Sequence, residues 1–146
     1  MSDPYDLQRF VAAQDAGGHD AGGTYDAALR ELRAGSKRSH WMWFVFPQLA
    51  GLGRSATAQR YAVSGLPEAH AYLAHPVLGP RLRECAAVLA GLPTADAVAV
   101  LGSVDAQKLH SSMTLFARAA QDPGVFQEVL ERYFAGEPDA GTTGRL

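Results

Sequence analysis

Leu78-Gly79-Pro80-Arg81-Leu82-Arg83-Glu84-Cys85-Ala86-Ala87-Val88-Leu89-Ala90-Gly91 is the stretch whose reading decides the fold class. Leu78, Leu82, Cys85 and Leu89 recur at i, i+4, i+7 and i+11, the spacing of one buried stripe on a helix, and Gly91 supplies a stop. Upstream, residues 64–74 predict a helix with Pro67 near its start and Leu66, Ala69 and Leu73 inward, interrupted by Pro76. Downstream, Thr94 predicts a cap for a short helix over 95–101, closed by Gly102. Ser103 caps the next helix, which is expected to run to about Gln121. Asp122-Pro123 opens a last helix carrying Phe126, Val129, Leu130 and Tyr133.

The same signals organise the N-terminal half. Asp3-Pro4 reads as a cap followed by proline at the first helical position, leading into Leu7, Phe10, Val11 and Gln14. Gly17-Gly18 ends that helix and Gly22-Gly23 completes a turn. Thr24 caps a second helix with Tyr25, Leu29 and Leu32, stopping at Gly35. Residues 41–46 are an apolar run too short for periodicity to separate helix from strand, ended by Pro47. After Gly51-Leu52-Gly53, residues 55–63 predict another short helix. No repeat, heptad run or alternating strand pattern is present. The expectation is an all-α, single-domain multihelical bundle of about seven helices over residues 1–134. Residues 135–146 have nothing evident to bury and are expected to be a mobile tail.

Length and composition agree with one domain. The 146 residues, with 47% hydrophobic and 19% charged side chains, are enough for a continuous core and unlike a disordered chain. The single cysteine, Cys85, falls in the apolar stripe and reads as a small buried hydrophobe. Five scattered histidines and no zinc-type spacing give no reason to expect a metal, and no cofactor motif is present. Without a membrane-length apolar run or a leader, the expected location is the cytoplasm.

Charge is where the chain departs from the ordinary. The net charge is −2, which disfavours bulk nucleic-acid binding. Yet no acid occurs between Glu31 and Glu68, while Arg33, Lys37, Arg38, Arg54 and Arg60 fall in that interval, favouring an anionic ligand locally. Only two lysines, Lys37 and Lys108, stand against eleven arginines. Each lies in an unusual block, which points to places where a compact ammonium is wanted and a planar guanidinium is not.

The first block, residues 37–48, packs Trp41, Trp43, Phe44 and Phe46 into six positions framed by Lys37, Arg38, Ser39, His40 and Gln48. Most of these aromatics are expected in the core. A tryptophan at the edge can stack on a base while His40 and Gln48 supply hydrogen bonds; alternatively His40 satisfies a nearby carbonyl. The second block is residues 103–116. Val104, Lys108, Ser112 and Phe116 are spaced by four, with Ser111 beside them, so the polar groups lie at the margin of a buried face. Lys108 there either snorkels to water, holds an anion, or acts as an amine nucleophile; Asp105, three residues earlier, favours a salt bridge or anion ligand over the nucleophile.

His40-Trp41-Met42-Trp43-Phe44-Val45-Phe46-Pro47-Gln48, Gly51-Leu52-Gly53, Tyr72-Leu73-x-His75-Pro76-x-Leu78-Gly79-x-Arg81-Leu82 and Asp105-x-x-Lys108-Leu109-x-Ser111-Ser112-Met113-Thr114-Leu115-Phe116 together resemble the bacterial family catalogued as domain of unknown function 1810. The likeness runs from about Asp6 to Phe134. It implies an all-α single domain and brings no established activity or catalytic residue. Ala106-Gln107-Lys108-Leu109 is also similar to a short helical stretch of the YbiA-like N-glycosidases, which act on ribose-linked nitrogen compounds. The Glu-His pair of that family is missing beside this stretch.

Three functional expectations follow. The first is a site for a small anionic ligand, a nucleotide or ribose phosphate, with Lys37, Trp41, Trp43, Gln48, Ser111 and Ser112 binding. If it is an enzyme, N-glycosidic hydrolysis or transfer is the class, with Lys108 and His40 catalytic. This requires the two blocks to meet in space. The second is a non-enzymatic helical domain that binds a protein partner. The third is nucleic-acid binding through the 33–60 interval.

Overall fold

The computed structural model describes residues 3–16 and 23–146. The expected stops at Gly17-Gly18 and Gly22 lie outside the described residues. The described chain forms ten helices: α1 (Gln8–Asp15), α2 (Gly23–Arg33), α3 (Met42–Val45), α4 (Ala56–Arg60), α5 (Leu66–Ala74), α6 (Leu78–Gly91), α7 (Ala97–Leu101), α8 (Ser103–Ala119), α9 (Gly124–Phe134) and α10 (Ala140–Thr143). The fold is all-α. Among the described residues the one extended pairing is an isolated parallel bridge between Leu49 and Val63.

The longest helix, α8, is the hub: α5, α7, α9 and α10 pack on it, while α6 lies against α2, α5 and α9, and α1 against α2 and α3. An aromatic chain runs through the centre. Phe10 meets Tyr72 edge-on at 5.1 Å, Tyr72 meets Phe116 at 5.2 Å, and Phe116 meets Phe126 at 6.0 Å, joining α1, α5, α8 and α9. The α6 stripe is buried as its spacing predicts: Leu78, Leu82, Cys85 and Leu89 are all in the core. Each buried leucine contributes about 1.5–3 kcal/mol. Burial pushes the Cys85 thiol up to about 12, so it stays protonated.

Gly79 explains how α5 and α6 approach so closely. A β-carbon there would lie 2.1 Å from the Leu73 carbonyl oxygen, so only glycine fits this crossing. The run at 41–46 resolves as a single helical turn. Phe46 leaves helical geometry at φ −125° and ψ 74°, as the following Pro47 requires.

The helix starts differ from the expected caps in an instructive way. α1 begins four residues beyond Pro4, and the Asp3 carboxylate reaches across the intervening turn to accept the N–H groups of Leu7 and Gln8 at 2.8 and 2.9 Å. Thr24 does not cap α2: its hydroxyl donates to the Ala16 carbonyl. Asp96, not Thr94, caps α7, accepting from the Ala99 N–H at 3.1 Å. Ser55 does cap α4.

The expectation of a tail with nothing to bury is corrected. Ala135 and Gly136 take consecutive positive φ values of 56° and 77°, which turn the chain back onto α8. Asp139 and Thr142 are buried there. The Asp139 carboxylate accepts from Gln107 Nε2 at 2.9 Å, Ser111 Oγ at 3.2 Å, Thr142 N–H at 3.0 Å and Thr142 Oγ1 at 2.7 Å, while its own N–H donates to Thr114 Oγ1. Composition conceals this because the partners are polar, not apolar. No helix among the described residues is long and apolar enough to cross a membrane.

Candidate functional site

The loop between α2 and α3 folds around one carboxylate. Glu31 accepts the backbone N–H groups of Arg38 at 2.7 Å and Ser39 at 2.9 Å, the Ser39 hydroxyl, and the Trp41 indole N–H at 2.9 Å. Partial burial opposes its charge, but these donors outweigh burial and hold its pKa at about 2, against an ordinary 4.5. The Lys37 N–H donates to the Val100 carbonyl at 2.8 Å and pins the loop to α7. Its side chain is thereby directed at the start of α8.

There the two lysines converge. Lys37 Nζ donates to the Ser39 carbonyl at 2.6 Å and lies 2.8 Å from Asp105 Oδ2. Lys108 Nζ lies 3.6 Å from Asp105 Oδ1, the other oxygen of the same carboxylate. Each ammonium also sits over an indole, Lys37 at 5.1 Å from the Trp41 ring centroid and Lys108 at 4.5 Å from that of Trp43. Only 9% of the Lys37 side chain and 18% of those of Asp105 and Lys108 are exposed, so solvent screens this triad less than a surface pair. The 37–48 and 103–116 blocks therefore meet in space.

Not every expected residue joins them. Trp41 is fully buried and its N–H is committed to Glu31, so it has no face left for a ligand. Trp43 is half-buried, with the Lys108 ammonium over its ring. His40 is exposed and makes no hydrogen bond or ion pair to a described residue, which removes the reading that it satisfies a nearby carbonyl. Gln48 lies beyond Pro47, where its carbonyl accepts from the Val63 N–H, and its side chain lies toward Gly53. Ser111 belongs to the Asp139 network on a neighbouring face of α8. Ser112, one turn beyond Lys108, is fully buried, and its hydroxyl has no hydrogen-bond partner.

The basic interval does not form one stripe. Arg33 reaches Glu84 on α6 at 3.9 Å, Lys37 turns to α8, and Arg60 stacks on Tyr61. Sequence reasoning missed Glu31 entirely. Its one available signal was its position as the last acid before the acid-free interval. Among the described residues no group of three His, Cys, Asp or Glu side chains is placed to hold a metal. A cleft of about 350 Å³ lies elsewhere, between α8, α9 and the returning chain, so it and the lysine triad are separate features.

Comparison with known proteins agrees with this architecture. The crystal structure of the conserved hypothetical protein Rv1873 from Mycobacterium tuberculosis superposes with a TM-score of 0.92 at 48% identity, covering 99% of this chain and 98% of that one. A search of curated proteins finds no match. The family model described as protein of unknown function (DUF1810) matches residues 4–146, the returning C-terminal segment included. This chain belongs to the DUF1810 family.

Proposed function

We propose that the surface around Lys37, Lys108 and Trp43 binds a small anionic ligand of the nucleotide or ribose-phosphate class. One observation carries the reading: two ammonium groups share a single carboxylate beside a half-buried indole. Asp105 occupies the position between the amines that a ligand phosphate or carboxylate would take, and so acts as an internal competitor. Trp43 offers ring surface for a base or a sugar face. Exposed Arg38 on the adjoining loop adds to the local positive field.

The chemistry favours binding over nucleophilic attack. An ammonium held against Asp105 has no free electron pair, so Lys108 serves as an electrostatic contact. N-glycosidic hydrolysis or transfer on such a ligand is the natural enzymatic extension. Its check is release of base from NAD or a nucleoside phosphate.

The test of binding is thermal denaturation of the purified chain with nucleotides, NAD, ADP-ribose and sugar phosphates. Saturating ligand, near a hundred times its Kd, stabilises by about 2.7 kcal/mol. A rise in Tm that Lys108→Ala abolishes supports the reading; a flat panel overturns it. A second reading, docking of a protein partner, is favoured by Val98 on α7 and Val104 on α8, which are 53% and 68% exposed. A flat ligand panel together with a partner lost on Val104→Ser would favour it.

A further inference from the structure

The cleft between α8, α9 and the returning chain is lined by Ala117 and Arg118 of α8, Gln127, Leu130 and Glu131 of α9, and Pro138. We propose that it binds a free α-amino acid with a compact apolar side chain.

Arg118 and Glu131 carry opposite charge on the same cleft, yet no ion pair joins them. With Gln127, they are side chains that make no hydrogen bond or ion pair to any described residue. Some opposite charges elsewhere in this molecule pair, as Arg9 with Glu68 and Arg81 with Asp15, and others do not, as Glu128 and Arg132 around a neighbouring hollow. A guanidinium receives a carboxylate through two parallel N–H donors, and a carboxylate receives an ammonium. Gln127 brings both a donor and an acceptor. Ala117, Leu130 and Pro138 provide the apolar wall between these groups. At about 350 Å³ the cleft sits at the small end of ligand sites, which run to roughly 1,000 Å³, and so suits a single amino acid better than a dinucleotide.

The third wall is built, not incidental. His110 stacks on Phe134 at 4.1 Å with the rings 3° from parallel, and its Nε2 lies 2.7 Å from the Glu137 carbonyl. The Gly136 N–H donates to the Leu130 carbonyl at 2.9 Å, and the Asp139 network holds the following residue in place. Pro138 is thus fixed over the cleft before any ligand arrives, which lowers the ordering penalty of binding. The site shares no residue with the lysine triad and stands or falls independently of it.

The experiment is a titration of the full chain with each of the free α-amino acids in the millimolar range, followed by amide chemical-shift mapping. The expected result is saturable binding of one or more apolar amino acids, with shifts concentrated at residues 117–118, 127–131 and 136–138. Arg118→Gln and Glu131→Gln, both at exposed positions, should each weaken it at least about tenfold without lowering Tm. The amide of the bound amino acid should lose the Arg118 contact and its N-acetyl derivative the Glu131 contact, and Lys108→Ala should bind as the wild type does. Absence of saturable shifts across the whole panel overturns the proposal. So does binding that survives both charge-removing variants, or shifts confined to the lysine triad.

Discussion

Lys37 Nζ lies 2.8 Å from Asp105 Oδ2, an ion pair that fastens the loop entering α3 to the first turn of α8. Lys108 takes the second oxygen of that carboxylate, so one residue organises the two lysines of the chain. The arrangement serves structure and ligand recognition by different physics, and the two separate experimentally.

Asp105→Asn removes the carboxylate while keeping its shape. Both lysines lose an ionic partner in a partly enclosed setting, so stability should fall by about 1–2 kcal/mol. If Asp105 competes with a ligand anion, the same substitution should tighten binding of phosphate-bearing ligands on the order of tenfold. Calorimetric titration measured beside Tm decides the matter. Lower Tm without any gain in anion affinity would leave Asp105 as a bridge only and count against the proposed site.

Glu31 sets an acid limit. Its folded pKa of about 2 lies below the ordinary 4.5, so between these values the unfolded chain binds more protons. Its stabilisation is therefore complete above pH 4.5 and is lost as pH falls towards 2. The contribution is about 2 kcal/mol after allowance for its partial exposure. Glu31→Gln should lower stability at neutral pH and flatten the decline between pH 4.5 and 2. Asp139 and Asp3, whose pKa values are also lowered, keep some slope in the variant. An unchanged acid-unfolding profile would mean that the loop 36–41 is held by something other than this carboxylate.

Legibility from sequence followed the kind of interaction. The α6 stripe was readable because burial of Leu82 and Leu89 depends on spacing within one segment. Phe46 leaving the helix before Pro47 was readable because it is a steric rule between neighbours. Glu31 is not readable, since two of its four donors are backbone N–H groups without a side-chain signature and the other two come from residues eight and ten positions away. The Asp139 network is not readable either, because its donors Gln107 and Ser111 lie 32 and 28 positions away, and it claims Ser111, which helical spacing places beside Lys108. Trp41 looked like a stacking candidate because composition cannot tell an indole bonded to a distant carboxylate from one at a pocket edge. The lysine blocks stood out as anomalies in composition, but their shared partner became visible only in three dimensions.

Asp139→Ala should cost about 2–3 kcal/mol, because Gln107, Ser111 and Thr142 lose an acceptor that is largely out of water. Hydrogen exchange at residues 139–146 should accelerate more than exchange in α6. Equal protection in variant and wild type would show that the segment is held by its other contacts, such as Arg145 over Gly51.

Gly79→Ala tests the approach of α5 and α6. The added methyl would meet the Leu73 carbonyl at 2.1 Å, a backbone atom that cannot rotate away. Separating α5 from α6 would disturb Tyr72 and Leu82, both fully buried. A loss of about 3 kcal/mol or more is expected, at the upper end for overpacking. A loss below about 1 kcal/mol would mean that the crossing relaxes without effect on the core.

Ser112→Ala has the opposite expected sign. The hydroxyl is fully buried on α8 with no partner, although it lies one turn from Lys108. An unsatisfied buried polar group costs about 1–3 kcal/mol, and alanine removes it while leaving the Cβ packing intact. Alanine is also the better helix former, by a few tenths of a kcal/mol. The variant should therefore be more stable than the wild type, by about 1 kcal/mol, in chemical denaturation without ligand. If Ser112 serves the lysine site, the gain in stability should come with weaker anion binding. If it does not, affinity will be unchanged while stability still rises. A destabilised variant would show that the hydroxyl is bonded in solution, most simply to an enclosed water.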